Sequence, residues 1–289
     1  MAGAALAVAS PEVCRGDALT ERNFRRLCDL VYRLCGIKLT SKKRSMIDGR
    51  LRRRMRCLQI GSINDYCQFL LDESEMASAE LVAFIDVVTT NKTDFFREPA
   101  HFAFMQSRIL PAWRAQDRRC AKVWSAASST GAEAFTIAMI LDNFFQDRGG
   151  LDYSILATDI CTEVLQKGSA ALYPDAMIEP IPEEFRRRYV LVPRDPGRRE
   201  FRITGALRSR VAFERLNLMD DRYDFDRDFD LIFLRNVLIY FDRPTQTAVL
   251  RKLCDHLRPG GYLFLGHSES LVAAQFQLEM VANTIYRRL

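Results

Sequence analysis

No apolar run in this chain approaches the roughly 20 residues that a membrane span requires. The opening stretch MAGAALAVASPEVCRGD lacks the charged-then-apolar order of a secretory signal. Together these absences predict a soluble, cytoplasmic protein with no direct membrane insertion, whose first residues, 1–15, are disordered. Cysteine spacing excludes a further set of functions. The eight cysteines (Cys14, Cys28, Cys35, Cys57, Cys67, Cys120, Cys161 and Cys254) contain no CxxC pair, and no histidine stands at ligand spacing. Reduced thiols are therefore expected, without disulfides and without a bound metal. No internal repeat or low-complexity segment is evident.

What is present is ample core material: 48% of the 289 residues are apolar, enough for one large domain or two ordinary ones. The net charge of +5 is mild but unevenly placed. Between Lys38 and Arg56 stand Lys42, Lys43, Arg44, Arg50, Arg52, Arg53, Arg54 and Arg56, against the single acid Asp48. A charge run is commonly only a solvated face. The near-absence of acids here favours a binding face for an acidic partner, whether nucleic acid, membrane surface or protein helix.

From Glu21 to about Val88 apolar residues recur at three- and four-residue spacing, which predicts a small helical domain over residues 16–88, with Ser41 as N-cap of the basic helix. After Lys122 the rhythm changes. Short apolar strands at 123–126, 154–157, 211–213, 230–234 and 262–265 alternate with helices at 132–145, 162–170 and 245–257. Such alternation predicts a parallel sheet covered on both faces. The closing FQLEMVANTIYRRL adds a hairpin turning at residues 282–283. An insertion over residues 173–210, with two strand-like runs about Pro196 and Gly197, predicts a small β-subdomain.

In doubly wound sheets ligands sit beyond the carboxyl ends of the strands. The first strand ends in SAASSTGAEAFTIAMIL, which has a single glycine where a dinucleotide site wants GxGxxG, and no GK[ST] of a P-loop. A tight turn of small residues opening a helix suits a nucleoside without phosphates, with a carboxylate near the helix N-terminus. Asp159 ends the second strand, where an acid can accept from ribose hydroxyls. Asn217, Arg235, Asn236 and Tyr240 follow the later strands at the same rim. Each could equally be a cap or turn residue; their conjunction points to one adenosine-bearing ligand.

NKTDFFREPAHF, VWSAASSTGAEAFTIAMIL, ATDICTEVL, LNLM and FDLIFLRNVLIYFDRPTQTAVLRKLCDHLRPGGYLFLGHSESL, in that order, closely resemble the CheR-type chemoreceptor glutamate methyltransferases. The resemblance covers nearly the whole chain. It implies an α/β, class I S-adenosylmethionine-dependent methyltransferase: a Rossmann-like, mostly parallel seven-stranded sheet ending in an antiparallel hairpin. The methyltransferase domain would span residues 89–289, with a connector at 89–100, the inserted β-subdomain, and the helical domain before it.

The cofactor implied is S-adenosylmethionine, leaving as S-adenosylhomocysteine. Carried over residue by residue, its contacts are Asn91, Thr93, Arg97, Glu133 for the ammonium group, Asp159 for the ribose, Asn217 and Leu218 for the adenine region, and Arg235 with Asn236. Phe95 and Phe96 would anchor the lid-like connector. The family pattern GEEPYS reads here GAEAFT, so Ala132 replaces the first acid and Glu133 keeps the second.

The implied acceptor is a glutamate carboxylate, already ionised at neutral pH with a reference pKa near ~4.3, so no general base is needed. Arg97 and Tyr240 are expected to orient it. Arg50, Arg53, Arg54 and Arg56 are expected to bind the cytoplasmic helical bundle of the receptor. The β-subdomain is expected to take a receptor carboxyl-terminal peptide. A monomer is expected. Nucleic acid as substrate is the rival reading, disfavoured because RNVLIY stands where amine-methylating enzymes carry [DN]PP[YFW]. A cofactor-binding regulator without catalysis is the third.

Overall fold

The computed structural model describes residues 17–72, 74–146, 151–195, 197–269 and 273–289; the stretch 1–15 and Pro196 of the expected turn lie outside the described residues. The chain divides between Thr89 and Thr90 into two compact units. None of the described helices is long and apolar enough to cross a membrane.

The first unit is all helical: α1 (Glu21–Cys35), α2 (Arg44–Leu58), α3 (Ile63–Leu70) and α4 (Glu75–Val88). Local chemistry sets the boundaries. Thr20, Ser62 and Ser74 each accept a backbone N–H of the first turn they precede. Gly36, at φ 70°, closes α1. The basic helix differs from expectation. Ser41 opens a short 3-10 turn (Ser41–Lys43), and α2 starts at Arg44 with no side-chain cap. The core is the apolar stripe predicted from spacing: Leu27, Val31, Ile47, Leu51, Met55, Tyr66 and Phe84 are all 1% exposed or less.

The second unit opens with a helical stretch, α5 (Pro99–Phe104), a π-turn (Met105–Ile109) and α6 (Leu110–Ala115). Its main elements are β1 (Cys120–Ala126), α7 (Ala132–Phe145), β2 (Asp152–Asp159), α8 (Thr162–Ala170), β6 (Val211–Arg215), β7 (Phe229–Leu234), α11 (Arg243–His256), β8 (Leu257–Leu265), β9 (Leu278–Ala282) and β10 (Ile285–Arg288). The seven strands are ordered β6-β2-β1-β7-β8-β10-β9. The first five run parallel, and β10 pairs antiparallel with both β8 and β9. This is the doubly wound sheet expected, with its terminal hairpin. β8 begins earlier than predicted, at Leu257, and its register against β7 shifts between the Phe229–Leu257 and Leu231–Tyr262 pairs, where Gly260 takes φ 75°.

The insertion carries β3 (Leu172–Pro174), α9 (Glu183–Tyr189), β4 (Val190–Leu191), β5 (Glu200–Ile203) and α10 (Gly205–Arg208), with strand order β3-β5-β4. The two runs expected around residues 196–197 are β4 and β5; β3 and α9 were not legible in the pattern.

Candidate active site

The parallel register brings five strand ends to one rim. Ala126 pairs with Thr158 on one side and with Leu234 on the other, Asp159 with Arg215, and Leu234 with Leu265. Between β1 and α7 the loop of residues 127–131 folds back on itself through positive φ at Ala127 (57°), Ser129 (51°) and Gly131 (81°). Gly131 has no substitute, since a Cβ there would lie 2.6 Å from the Phe213 ring. Asp159 ties this loop to the tip of β2: Oδ2 accepts the Ser129 N–H and Oδ1 the Cys161 N–H, each at 2.9 Å. The Ser129 hydroxyl donates to the Asn91 carbonyl at 2.7 Å, fixing the connector against the loop.

The two phenylalanines of the connector do what their placement suggested. Phe95 is 1% exposed and meets the Tyr173 ring edge-on at 4.9 Å, while Phe96 lies 5.4 Å from Phe185 and 5.9 Å from Phe102. The backbone here is strained, with Phe96 at φ 53° and Glu98 at φ 56°. Each left-handed non-glycine residue costs about 1–2 kcal/mol. Burial of Phe95, worth roughly 1.5–3 kcal/mol, and the Phe96 N–H bond to the Thr136 hydroxyl at 3.1 Å offset that cost. Arg97 stands between the two strained residues, half-buried, its Nη1 donating to the Lys92 carbonyl at 3.0 Å.

Behind the connector lies a buried charge network. Arg235, immediately after β7, donates through Nη1 to Glu133 Oε2 (2.9 Å), and through Nη2 to Glu98 Oε2 (2.9 Å) and the Arg97 carbonyl (2.5 Å). Glu133, in the first turn of α7, also accepts the Ser125 hydroxyl at 2.7 Å. Glu98 takes the Asn236 side-chain amide on Oε1 at 3.0 Å. Burial alone would raise the Glu98 carboxyl, but the Asn236 amide and the Arg235 charge outweigh it and hold the pKa at about 2. His101, 1% exposed and 2.9 Å from the Thr284 hydroxyl, is pushed down to about 4 by burial and by Arg235. It is neutral at pH 7.

Glu98 and Asn236's partner Glu269 are the residues of this network that sequence reasoning missed. Glu269 joins two strand ends, its Oε2 accepting the N–H groups of Asn236 (2.8 Å) and Gly266 (2.7 Å). Burial pushes its carboxyl above the usual range against those donors. Asn236 is thereby held at φ 60°. Glu98, His101 and His267 also offer donor atoms within 4.8 Å of one another. That brings together histidines 166 positions apart, which no local spacing reveals. The Arg235 guanidinium already bonded to Glu98 opposes a second cation there, so the cluster is read as part of the charge network.

The remaining candidates are distributed around the same rim. Asn217 accepts the Met219 N–H at 3.0 Å, and the Leu218 carbonyl accepts the Tyr223 hydroxyl at 2.9 Å. Tyr240 closes the 3-10 turn Leu238–Tyr240 after β7, and Thr93 is half-buried in the connector. Ala132 is fully buried in the apolar core and contributes no charge. In the helical unit the four predicted arginines fall into two classes. Arg54 binds Glu80 with two bonds of 2.6 Å, and Arg50 holds the Val87 and Thr89 carbonyls at 2.9 and 2.8 Å. Arg53 and Arg56 are exposed.

The donor set suits S-adenosylmethionine. A carboxylate ends β2, a second stands in the first turn of α7, and the loop between β1 and α7 holds two buried hydroxyls, Ser128 Oγ and Thr130 Oγ1, without partners among the described residues. Loop hydroxyls at a helix N-terminus match the cofactor's carboxylate, and the acids match its ammonium and ribose groups.

Comparison with known proteins agrees. Residues 91–287 match the model of the CheR methyltransferase SAM binding domain, and residues 22–89 that of the CheR methyltransferase all-alpha domain. The chemotaxis protein methyltransferase of Klebsiella aerogenes is 38% identical over 270 residues, covering 93% of this chain and 90% of that protein. That of Escherichia coli is 37% identical over 269 residues, covering 93% and 91%. That of Borreliella burgdorferi is 34% identical over 275 residues, covering 93% and 95%. With both domains matched in order and relatives 34–38% identical over 93% of the chain, the chain belongs to the CheR methyltransferase family.

Proposed function

We propose that the protein transfers the methyl group of S-adenosylmethionine to glutamate side-chain carboxylates of chemoreceptors, forming methyl esters for sensory adaptation. What supports this reading is the rim itself, in a chain of this family: Asp159 ends β2 and holds Ser129, Ser129 holds the connector at Asn91, and Glu133 stands in the first turn of α7. When bound, S-adenosylmethionine supplies an electrophilic sulfonium methyl and leaves as S-adenosylhomocysteine.

Glu133 is assigned the ammonium group, Asp159 the ribose, and Asn217 with Leu218 the adenine region. Asn91, Thr93, Arg97, Arg235 and Asn236 complete the cofactor contacts. Arg97 and Tyr240 orient the acceptor carboxylate for in-line attack and partly exclude water from it. Attack needs no base, because a carboxylate is ionised at neutral pH. The histidines fit that economy: His101 is buried against Thr284, and His256 lies 2.8 Å from the Lys252 carbonyl.

The helical domain, within residues 16–88, is assigned the receptor's cytoplasmic helical bundle, and residues 89–289 the chemistry. Arg53 and Arg56 provide direct contacts, whereas Arg50 and Arg54 shape the helix that presents them. On the β-subdomain, Leu172, Arg202 and Leu191 lie in one cross-strand row and are all exposed. That row, beside the short edge strand β4, is assigned a receptor carboxyl-terminal peptide. The protein is assigned to the cytoplasm, as a monomer.

The test is transfer of labelled methyl from S-adenosylmethionine to a chemoreceptor cytoplasmic fragment, with RNA alongside. Base-labile label on the receptor, formed much more slowly but still measurably by Arg97→Ala, is the expected outcome. Label on RNA, or cofactor binding without transfer, would overturn the assignment.

A further inference from the structure

Arg97 is flanked on both sides by backbone that its own side chain does nothing to hold. Phe96 and Glu98 are both left-handed without being glycine, at φ 53° and φ 56°. Phe96 is secured by its ring contacts and by Thr136. Glu98 opens α5, its carbonyl accepting the His101 N–H at 3.2 Å, and its side chain is held by the carboxylate, which is 12% exposed and collects donors from two strand ends: Arg235 and Asn236 after β7, and the His267 N–H after β8 at 3.4 Å. Arg235 then returns to the connector by donating to the Arg97 carbonyl. The result is a closed loop of contacts, Glu98 to Arg235 to the Arg97 backbone, with a branch from Arg235 to Glu133 in α7.

From this geometry we propose that Glu98 is a positioning residue for methyl transfer, one that fixes the backbone of Arg97 and couples it, through Arg235, to the Glu133 subsite. It rests on the assignment of Arg97 as the group that orients the acceptor carboxylate. Glu98 touches neither acceptor nor cofactor in this scheme. Its charge matters because a guanidinium and an amide must both be held by one carboxylate, and a neutral amide side chain cannot accept from both while presenting its own N–H groups. The residue is also well placed to make cofactor occupancy felt at the connector. Any donor that competes for Glu133 changes the load on Arg235, whose other partners are Glu98 and the Arg97 carbonyl.

The deciding experiment is a double-mutant cycle of Glu98→Gln with Arg97→Ala in the full chain, read as kcat for receptor methylation. Glu98→Gln alone is expected to lower kcat by about 100-fold, the scale on which a misplaced orienting group costs rate. Added to Arg97→Ala it is expected to cost less than about 2-fold, because both changes remove one function. Glu98→Asp keeps the charge on a shorter arm and is expected to recover part of the loss, which also covers a Gln variant that fails to fold. Multiplying losses in the double variant would mean a merely structural role and overturn the proposal.

A second readout needs no acceptor. Amide exchange at Arg97 and Glu98 is expected to quicken by about 10-fold or more in Glu98→Gln; unchanged exchange overturns the clamp. Wild-type protein that methylates no receptor fragment would instead overturn the receptor assignment, and the exchange measurement would still decide the clamp.

Discussion

The guanidinium of Arg54 and the carboxylate of Glu80 meet fork to fork, Nε to Oε1 and Nη2 to Oε2, both at 2.6 Å. Glu80 is 4% exposed and also accepts the hydroxyl of Tyr66, itself fully buried, at 2.7 Å. An arginine in a run of arginines is thus the partner of a buried acid inside the helical unit. Its neighbours one and two positions away are not equivalent to it.

That difference is measurable. Arg54→Ala leaves Glu80 buried without its counter-charge and is expected to cost about 3–5 kcal/mol of stability. Arg53→Glu and Arg56→Glu are expected to leave stability within about 0.5 kcal/mol while raising the KM for a receptor fragment about tenfold. Denaturant unfolding and methylation kinetics separate the two classes. Equal destabilisation by all three would contradict the division.

Gly49 stands in the interior of α2, where a Cβ would meet nothing within 4 Å. The helical unit therefore has no steric need for glycine there. Gly49→Ala is expected to stabilise the protein by about 1 kcal/mol. Because Met46 and Arg53, one turn to either side, are exposed, the same change is expected to weaken methylation of a receptor fragment by crowding an approaching helix. A more stable variant with undiminished activity would move the docking face elsewhere.

Acid is expected to act on the active-site network in two stages. His101 has a folded pKa of about 4, below the ordinary 6.5, so the unfolded chain binds more protons between those values and stability falls as pH drops from 6.5 to 4. Glu98, at about 2 against an ordinary 4.5, contributes stability that is present above 4.5 and lost as pH falls towards 2. Thermal unfolding from pH 7 to pH 3 reads both stages, and His101→Asn is expected to flatten the upper one.

Asp159 binds two backbone amides that belong to different segments, Ser129 and Cys161. Asn at this position can accept only one of them and sets an N–H against the other, a cost of about 1–3 kcal/mol. Asp159→Asn is accordingly expected to lower both stability and affinity for S-adenosylhomocysteine. Calorimetric titration checks the second effect; unchanged affinity would show that the carboxylate serves the loop alone.

Local pattern carried much of this protein. The sheet was readable because β7, FDLIFL, is buried along its whole length and is apolar at every position but Asp230. The rim residues Asp159, Arg235 and Asn236 were readable because the end of a parallel strand is fixed by where its apolar run stops. Phe95 and Phe96 were conspicuous for the same reason, two rings in a polar stretch. The Ser41 cap failed because a 3-10 turn inserted itself before α2, a choice of a few backbone angles that side-chain spacing does not record.

The sequence by itself determined the fold, the family and the rim, since each depends on periodicity or on contiguous strings. Only the tertiary structure decided which arginines of the basic helix are exposed and which are tied to a buried acid. Arg54 and Glu80 lie 26 positions apart, and nothing local pairs them. It alone made Glu98 a hub, by bringing Arg235 and Asn236 across 137 and 138 positions to one carboxylate. Charge networks of this kind are set by the three-dimensional closing of distant strand ends, and that closure has no signature along the chain.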